Sequence, residues 1–256
     1  MIKLRLAIIA AFFVLNSAFS QSAENTVNQS LEWFSVNSTM KVHPRVNIYG
    51  EVNLRFVRGF EAQQHQIRTA VEFVVLKNLT VTPIGYVYTW NYTYGKQPAA
   101  FANDEHRIYQ QVVFRHAAGR VNFQHRARLE ERFIQAHHLS SEGVTIGDEY
   151  NDKRERFRYR LLMTIPLNHE KIEANTVFLA ASDEIFASWG KNVTYHSPDQ
   201  NRVFVGAGYQ FTKLAAVQAG AMYQMLKKAN GLLQENNVGA MVQFTYNLDF
   251  THEAKN

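Results

Sequence analysis

The sequence predicts an all-β fold: an antiparallel transmembrane β-barrel of about 12 strands, with about 10 as the alternative. Three observations lead there. Beyond residue 30, apolar and polar residues alternate over long stretches, as in strands with one greasy and one polar face. Tight turns at 43–45, 77–78, 118–119, 167–169 and 212–214 alternate with long polar loops over 58–64, 94–103, 136–153, 187–201 and 228–237, the plan of a barrel with short connections on one rim and long ones on the other. No apolar run of about 20 residues, the length a spanning helix needs, occurs beyond residue 20.

In chain order the candidate strands are 31–42, 46–57, 65–76, 79–93, 104–117, 120–135, 154–166, 171–186, 202–211, 215–227 and 238–250. In the second, Val46, Ile48, Val52, Leu54 and Phe56 share one face, and Asn47, Glu51, Asn53 and Arg55 the other. The fourth carries Tyr86, Tyr88, Trp90 and Tyr92 on one face, as an interfacial aromatic girdle requires. The sixth sets Val121, Phe123, Ala127, Leu129 and Phe133 against Arg126, Arg128, Glu130 and Arg132. The seventh sets Phe157, Tyr159, Leu161, Met163 and Ile165 against Arg156, Arg158 and Arg160. In the last, Val242, Phe244, Tyr246, Leu248 and Phe250 alternate with polar residues. A soluble sandwich or a lipocalin-like barrel also alternates, but its apolar face closes on a core of limited area. Here nearly every strand carries a long apolar stripe.

Register is a second test, because a one-residue slip turns every side chain to the wrong face. Pairing Leu76 with Leu79 sets Phe73 beside Thr82, Val71 beside Ile84, Thr69 beside Tyr86 and Ile67 beside Tyr88. A three-residue turn at His43-Pro44-Arg45 sets Val36 beside Val52 and Phe34 beside Leu54. Pairing Ala117 with Arg120 sets Arg107 beside Glu130 and Glu105 beside Arg132, two reciprocal ion pairs from one register. Eleven strands in alternating direction would leave the first and last parallel, whereas bacterial single-chain barrels normally have even counts, hence the expectation of 12 or 10.

Composition fits this frame. The 256 residues are 46% apolar, 13% aromatic and 19% charged, with a mean hydropathy of −0.28, too polar for a helical membrane bundle. Residues 1–20 have the layout of a secretory signal: Lys3 and Arg5, an apolar stretch from Leu6 to Leu15, then Ala18 and Ser20 at the positions of a cleavage site. The expected organisation is a signal over 1–20 and a single barrel domain over 21–256, exported to the cell outer membrane. The formal charge of +5, from 27 Lys+Arg and 22 Asp+Glu, falls to +3 without Lys3 and Arg5, so nucleic-acid binding has no compositional support. No cysteine is present, which excludes disulfides, a lipoprotein anchor, thiolate metal sites and a cysteine nucleophile.

Strand parity turns Arg107, Arg126, Arg128, Arg132, Arg156, Arg158, Arg160 and Arg202 inward, with Glu51, Glu72, Glu105, Glu130 and Glu173 as possible partners. Two readings follow. Arg–Glu ladders can fill a narrow barrel and keep charge off the lipid. Alternatively, a cationic track down a narrow channel would favour small anionic solutes, because guanidinium stays charged and grips carboxylate or phosphate with two donors. A lipid-modifying hydrolase is an outside alternative, resting on His138-Leu139-Ser140 with Glu142, Glu149 or Asn151 to orient the imidazole. Such chemistry needs the membrane face, whereas His138 and Ser140 share the parity of Arg128, so no enzymatic activity is expected. His137 and His138 point to opposite faces of a strand and make no metal site, and no cofactor is expected. Expected partners are outer-membrane lipid, the barrel-assembly machinery through a C-terminal strand ending at Phe250, and small anionic solutes; a monomer is expected.

The run Glu105-His106-Arg107-Ile108-Tyr109-Gln110-Gln111, the segment Arg126 to Phe133, Arg156-Phe157-Arg158-Tyr159-Arg160 leading to Ile165-Pro166-Leu167, Asp183-Glu184-Ile185-Phe186, and Asp199-Gln200-Asn201-Arg202 before Gly206 together resemble an uncharacterised outer-membrane family of Gram-negative bacteria, known only as a domain of unknown function. The resemblance covers nearly the whole mature chain. It implies an outer-membrane β-barrel and brings no substrate and no catalytic residue.

Overall fold

The computed structural model of the protein describes residues 25–95, 101–143, 145–194, 198–228 and 231–251. The signal expected over 1–20 lies outside the described residues. Thirteen strands follow one another without a helix among the described residues: β1 (Asn25–Val27), β2 (Ser30–His43), β3 (Val46–Val57), β4 (Glu61–Leu76), β5 (Leu79–Asn91), β6 (Asn103–Ala118), β7 (Val121–Leu139), β8 (Thr145–Pro166), β9 (Thr176–Trp189), β10 (Gln200–Gln210), β11 (Ala215–Lys227), β12 (Leu233–Tyr246) and β13 (Leu248–Asp249). Each strand from β2 to β12 pairs antiparallel with the next, and β12 closes on β2 in parallel, so the wall has eleven strands.

The wall therefore has neither twelve strands nor ten. The eleven alternating segments are the whole wall, and the parity conflict is resolved by a parallel seam rather than by a further strand. β1 and β13 are not wall strands of their own. β1 extends the line of β2 and pairs with the start of β12, and β13 extends β12 and pairs with Met40 and Lys41 of β2. The seam thus runs from Asn25 to Lys41 with two interruptions, each bridged by an asparagine of the other strand. The Gln29 N–H donates to Asn237 Oδ1 at 3.0 Å, and the Thr39 N–H donates to Asn247 Oδ1 at 3.0 Å. Beyond β13, the Phe250 N–H donates to the Lys41 carbonyl at 2.9 Å.

Two of the expected registers hold, the first although its turn is Pro44-Arg45 alone, because a bulge between Lys41 and His43 takes up the difference. Val36 faces Val52 and Phe34 faces Leu54. Leu76 faces Leu79, Val71 faces Ile84, Thr69 faces Tyr86 and Ile67 faces Tyr88; only Phe73 shifts, to Val81, between two local irregularities. The β6–β7 register differs by two residues. Gly119 at φ +61° and Arg120 form the turn, Ala118 pairs with Val121, and Arg107 faces Arg132 rather than Glu130. A shift of two preserves the faces, so every arginine stays on the expected side.

One rim carries the connections at 44–45, 77–78, 119–120, 167–175 and 211–214, the other those at 58–60, 92–102, 140–144, 190–199 and 228–232. Several lengths depart from expectation. The loop expected over 58–64 is a tight turn of three residues at positive φ, Arg58, Gly59 and Phe60. The turn expected at 167–169 runs to 175, held by Arg120, whose Nη2 donates to the carbonyls of Pro166, Leu167 and His169. Most of the expected 136–153 loop is strand, because β7 and β8 continue as a hairpin beyond the other strands.

Burial is inverted relative to a water-soluble protein. Val36, Ile84, Val205 and Val238 are 54%, 58%, 59% and 61% exposed on the outside, while Glu105 and Glu130 are wholly buried inside. Aromatic rings band both rims of the exterior. Phe34, Phe56, Phe60, His65 and Tyr92 contact one another in series at the long-loop rim, and Phe114, His116, Phe123, His125 and Tyr159 do so at the short-turn rim.

Candidate functional site: the lumen

The interior is filled in three different ways. Toward the short turns, Phe178, Ala180 and Phe204 form an apolar cluster with Leu162 and Met241 against it. Its rings occupy the room left by glycines: a Cβ at Gly208 would lie 2.2 Å from the Phe178 ring. Midway, an ion-paired network crosses the lumen. Toward the long loops there is a cavity of about 520 Å³.

The network is built by alternation on β6 to β10, which turns every second side chain inward. Glu105 accepts from Arg107 Nη2 at 2.7 Å and from Arg132 at 2.7 and 2.8 Å, the latter pair fork to fork. Glu130 takes Arg156 at 2.5 Å and Arg158 at 2.7 Å, with Arg107 and Arg128 each at 3.6 Å. Glu184 takes Arg126 at 2.5 Å, Arg158 at 2.8 Å and Arg202 at 3.6 Å. All ten lumen residues expected from parity therefore face inward, and nine of them join through these three carboxylates. The tenth, Arg160, donates to Gln124 Oε1 at 2.7 Å instead. The pairs expected as direct neighbours, Arg107 with Glu130 and Glu105 with Arg132, form diagonally across the shifted register.

Among the other expected partners, Glu51 pairs with Arg68 and accepts from the Tyr49 hydroxyl at 3.0 Å. Glu173 does not enter the lumen; it lies in the 167–175 turn beside His169. Glu184, not among the expected partners, takes a central role, pairing with Arg126, Arg158 and Arg202. Arg55, on the expected polar face of β3, also belongs to the site: its guanidinium lies 4.3 Å from the Trp33 ring centre and donates to Gln64.

Charge does not balance across the network. Seven arginines (107, 126, 128, 132, 156, 158 and 202) ion-pair with three carboxylates, leaving four positive charges (7 − 3) among these ten groups. Aromatic faces take up part of the surplus. Arg128 lies 4.2 Å from the Tyr109 ring centre, Arg158 4.6 Å from Phe186, and Arg202 lies 4.6 Å from Trp33 and 5.1 Å from Phe186. The Nε atoms of Arg55, Arg126 and Arg202 are buried with no acceptor among the described residues.

Side chains fill the lumen at this level: Tyr109, Arg107 and Gln66 are at most 2% exposed, and Glu130 is wholly buried. The Tyr109 ring spans the room over Gly85, where a Cβ would meet it at 2.2 Å. At the mouth above, Tyr94 reaches from the β5–β6 connection to the seam. Its hydroxyl lies 3.2 Å from Glu235, and Lys228 pairs with the same carboxylate at 2.8 Å. Burial disfavours the Lys228 ammonium, but Tyr94 and Glu235 beside it outweigh that and hold its pKa above the usual lysine value.

The residues weighed for hydrolysis lie at the end of β7, in the connection after it and early in β8. His138 lies in β7 opposite Ile146, and Ser140 stands beyond the end of that strand, its Oγ accepting from the Glu142 N–H at 3.3 Å. Among the described residues, no cluster of three or more His, Asp or Glu could hold a metal ion.

Fold and lumen together define a class: a closed, mostly antiparallel β-barrel, apolar outside, with an arginine-rich ion-paired interior. The chain belongs to the family described as "Protein of unknown function (DUF2490)", which matches residues 32–236. No curated protein and no solved structure matches it.

Proposed function

We propose that the protein is an exported outer-membrane barrel with a closed, ion-paired waist, presenting a cationic chamber to small anionic solutes at its long-loop end. The inverted burial carries the membrane assignment: an exterior of valine, isoleucine and leucine around buried carboxylates suits lipid, not water. Both aromatic bands add to it, since such rings favour the two membrane interfaces. The C-terminal strand, running to Phe250 at the seam, is the segment offered to the barrel-assembly machinery. Val205→Arg, on the outer face midway along β10, is expected to cost about 2–4 kcal/mol when the barrel folds into bilayers. A cost near zero in a bilayer-folding titration would remove the membrane reading.

The surplus of buried guanidinium favours a second reading, a narrow anion-favouring channel, and planar-bilayer conductance separates the two. Folded wild-type protein is expected to be silent. Anion-selective steps that weaken in Arg128→Ala or Arg158→Ala would establish the channel instead.

A further inference from the structure

The walls of the loop-side chamber differ in kind. On β3 to β6, side chains form a continuous chain of amides. Arg55 donates to Gln64 at 2.5 Å, Gln64 to Asn91 at 2.5 Å, and Asn91 to Asn103 at 3.1 Å. Gln64, Asn91 and Asn103 all line the cavity. An amide carries two N–H donors and two acceptor positions, so each keeps hydrogen-bonding capacity beyond this chain. Such a row matches vicinal hydroxyls, which donate and accept in turn.

At one end of the row stand two arginines whose charge the protein does not fully neutralise. Arg55 has no carboxylate within ion-pair range among the described residues, and Arg202 has only Glu184 at 3.6 Å, which it shares with Arg126 and Arg158. Both guanidinium groups lie over the Trp33 ring, at 4.3 and 4.6 Å, and both keep a buried Nε without an acceptor. Both side chains are only partly exposed at the cavity wall, so an arriving anion meets donors already stripped of part of their water. The cavity, about 520 Å³, lies within the range of small-molecule sites.

We propose that this chamber binds a small polyhydroxylated anion, a sugar acid or a sugar phosphate. Its anionic group sits on Arg55 and Arg202, and its hydroxyls run along Gln64, Asn91 and Asn103. Carboxylate and phosphate share the geometry that a guanidinium fork recognises. The chamber is a blind cup rather than a vestibule, and in that respect the proposal rests on the closed waist.

Titration calorimetry on the folded barrel in detergent tests it, with glucuronate, glucose 6-phosphate, glucose and inorganic phosphate as probes. Glucuronate or glucose 6-phosphate should bind at least tenfold more tightly than either glucose or phosphate. Which of the two prevails identifies the carboxylate or the phosphate source. Arg55→Gln should weaken that binding at least tenfold. Because Arg55 carries no ion pair, its loss strands no carboxylate and the barrel should keep its unheated electrophoretic mobility. Asn91→Ala should weaken the sugar anions while leaving phosphate unchanged. Phosphate binding as tightly as the sugar anions would overturn the hydroxyl half of the proposal, glucose binding as tightly would overturn the anion half, and no binding by folded protein would overturn both. Conductance of the same preparation keeps the two proposals apart: a conducting barrel blocked by glucuronate refutes the closed waist and retains the site, whereas a silent barrel that binds nothing does the reverse.

Discussion

Glu130→Ala is expected to destabilise the barrel by about 3–5 kcal/mol, the largest effect of any single change in the ion-paired network. Glu130 is the group on which Arg107, Arg128, Arg156 and Arg158 converge, and its carboxylate is wholly buried. Removing it takes the shared counter-charge from four guanidinium groups, of which Arg107 keeps Glu105 at 2.7 Å. Arg128 would still donate to Gln111, at 2.6 and 2.9 Å, and Arg158 would still reach Glu184 at 2.8 Å, but Arg156 has no other carboxylate within ion-pair range among the described residues. Glu130→Gln keeps the shape and one acceptor and should fall between wild type and alanine. Urea unfolding in a fixed detergent or lipid measures both. The same substitution removes the side chain at the centre of the waist, so Glu130→Ala that still folds should show anion-selective conductance where wild type is silent. A loss below about 1 kcal/mol would mean that the network is solvated and the waist open.

Why Glu130 and Glu105 could be found from the sequence and Glu184 was harder to rank is a matter of alternation. On β6 and β7 the outward positions are mostly apolar and the inward ones charged, so parity alone turns Arg107, Arg128 and Arg132 into the lumen. On β9 the inward residues Phe178, Ala180 and Phe186 are as apolar as the outward Val177, Leu179 and Ile185. Period two cannot tell the faces of such a strand apart, and only the motif Asp183-Glu184-Ile185-Phe186 marks it. The β6–β7 register slipped for a related reason. Two placements of the Gly119 turn, one residue apart, shift the register by two and give the same faces, and the one that aligns opposite charges directly is the more attractive in sequence. The barrel pairs them diagonally, which long arginine side chains reach without strain. The strand count had a different cause. Parallel closure between segments about 208 residues apart leaves no local signature, because β2 and β12 alternate as any wall strands do.

That seam sets the second large expectation: Gly239→Ala should prevent the barrel from closing. Gly239 pairs directly with Leu31 across the parallel β12–β2 junction. A Cβ there would stand 1.9 Å from the Leu31 carbonyl oxygen and 2.5 Å from its nitrogen, both backbone atoms that cannot turn aside. Leu31 is itself fixed inward among Trp33, Val57, Tyr94 and Met222, so β2 cannot retreat without opening that cluster. The cost of forcing it is on the order of 3 kcal/mol. It falls on the one junction that joins the two ends of the sheet, so the strain opens an edge instead of spreading around the wall. Gly50→Ala, on neighbouring β3, is the control. Its Cβ would meet only the Met40 Cε at 3.9 Å, an ordinary contact with the tip of a flexible side chain. Unheated electrophoretic mobility and protease resistance should therefore remain those of the closed barrel in Gly50→Ala and be lost in Gly239→Ala. A compact, resistant Gly239→Ala protein would mean that β2 and β12 do not meet at this register, and that an eleven-strand wall needs another closure.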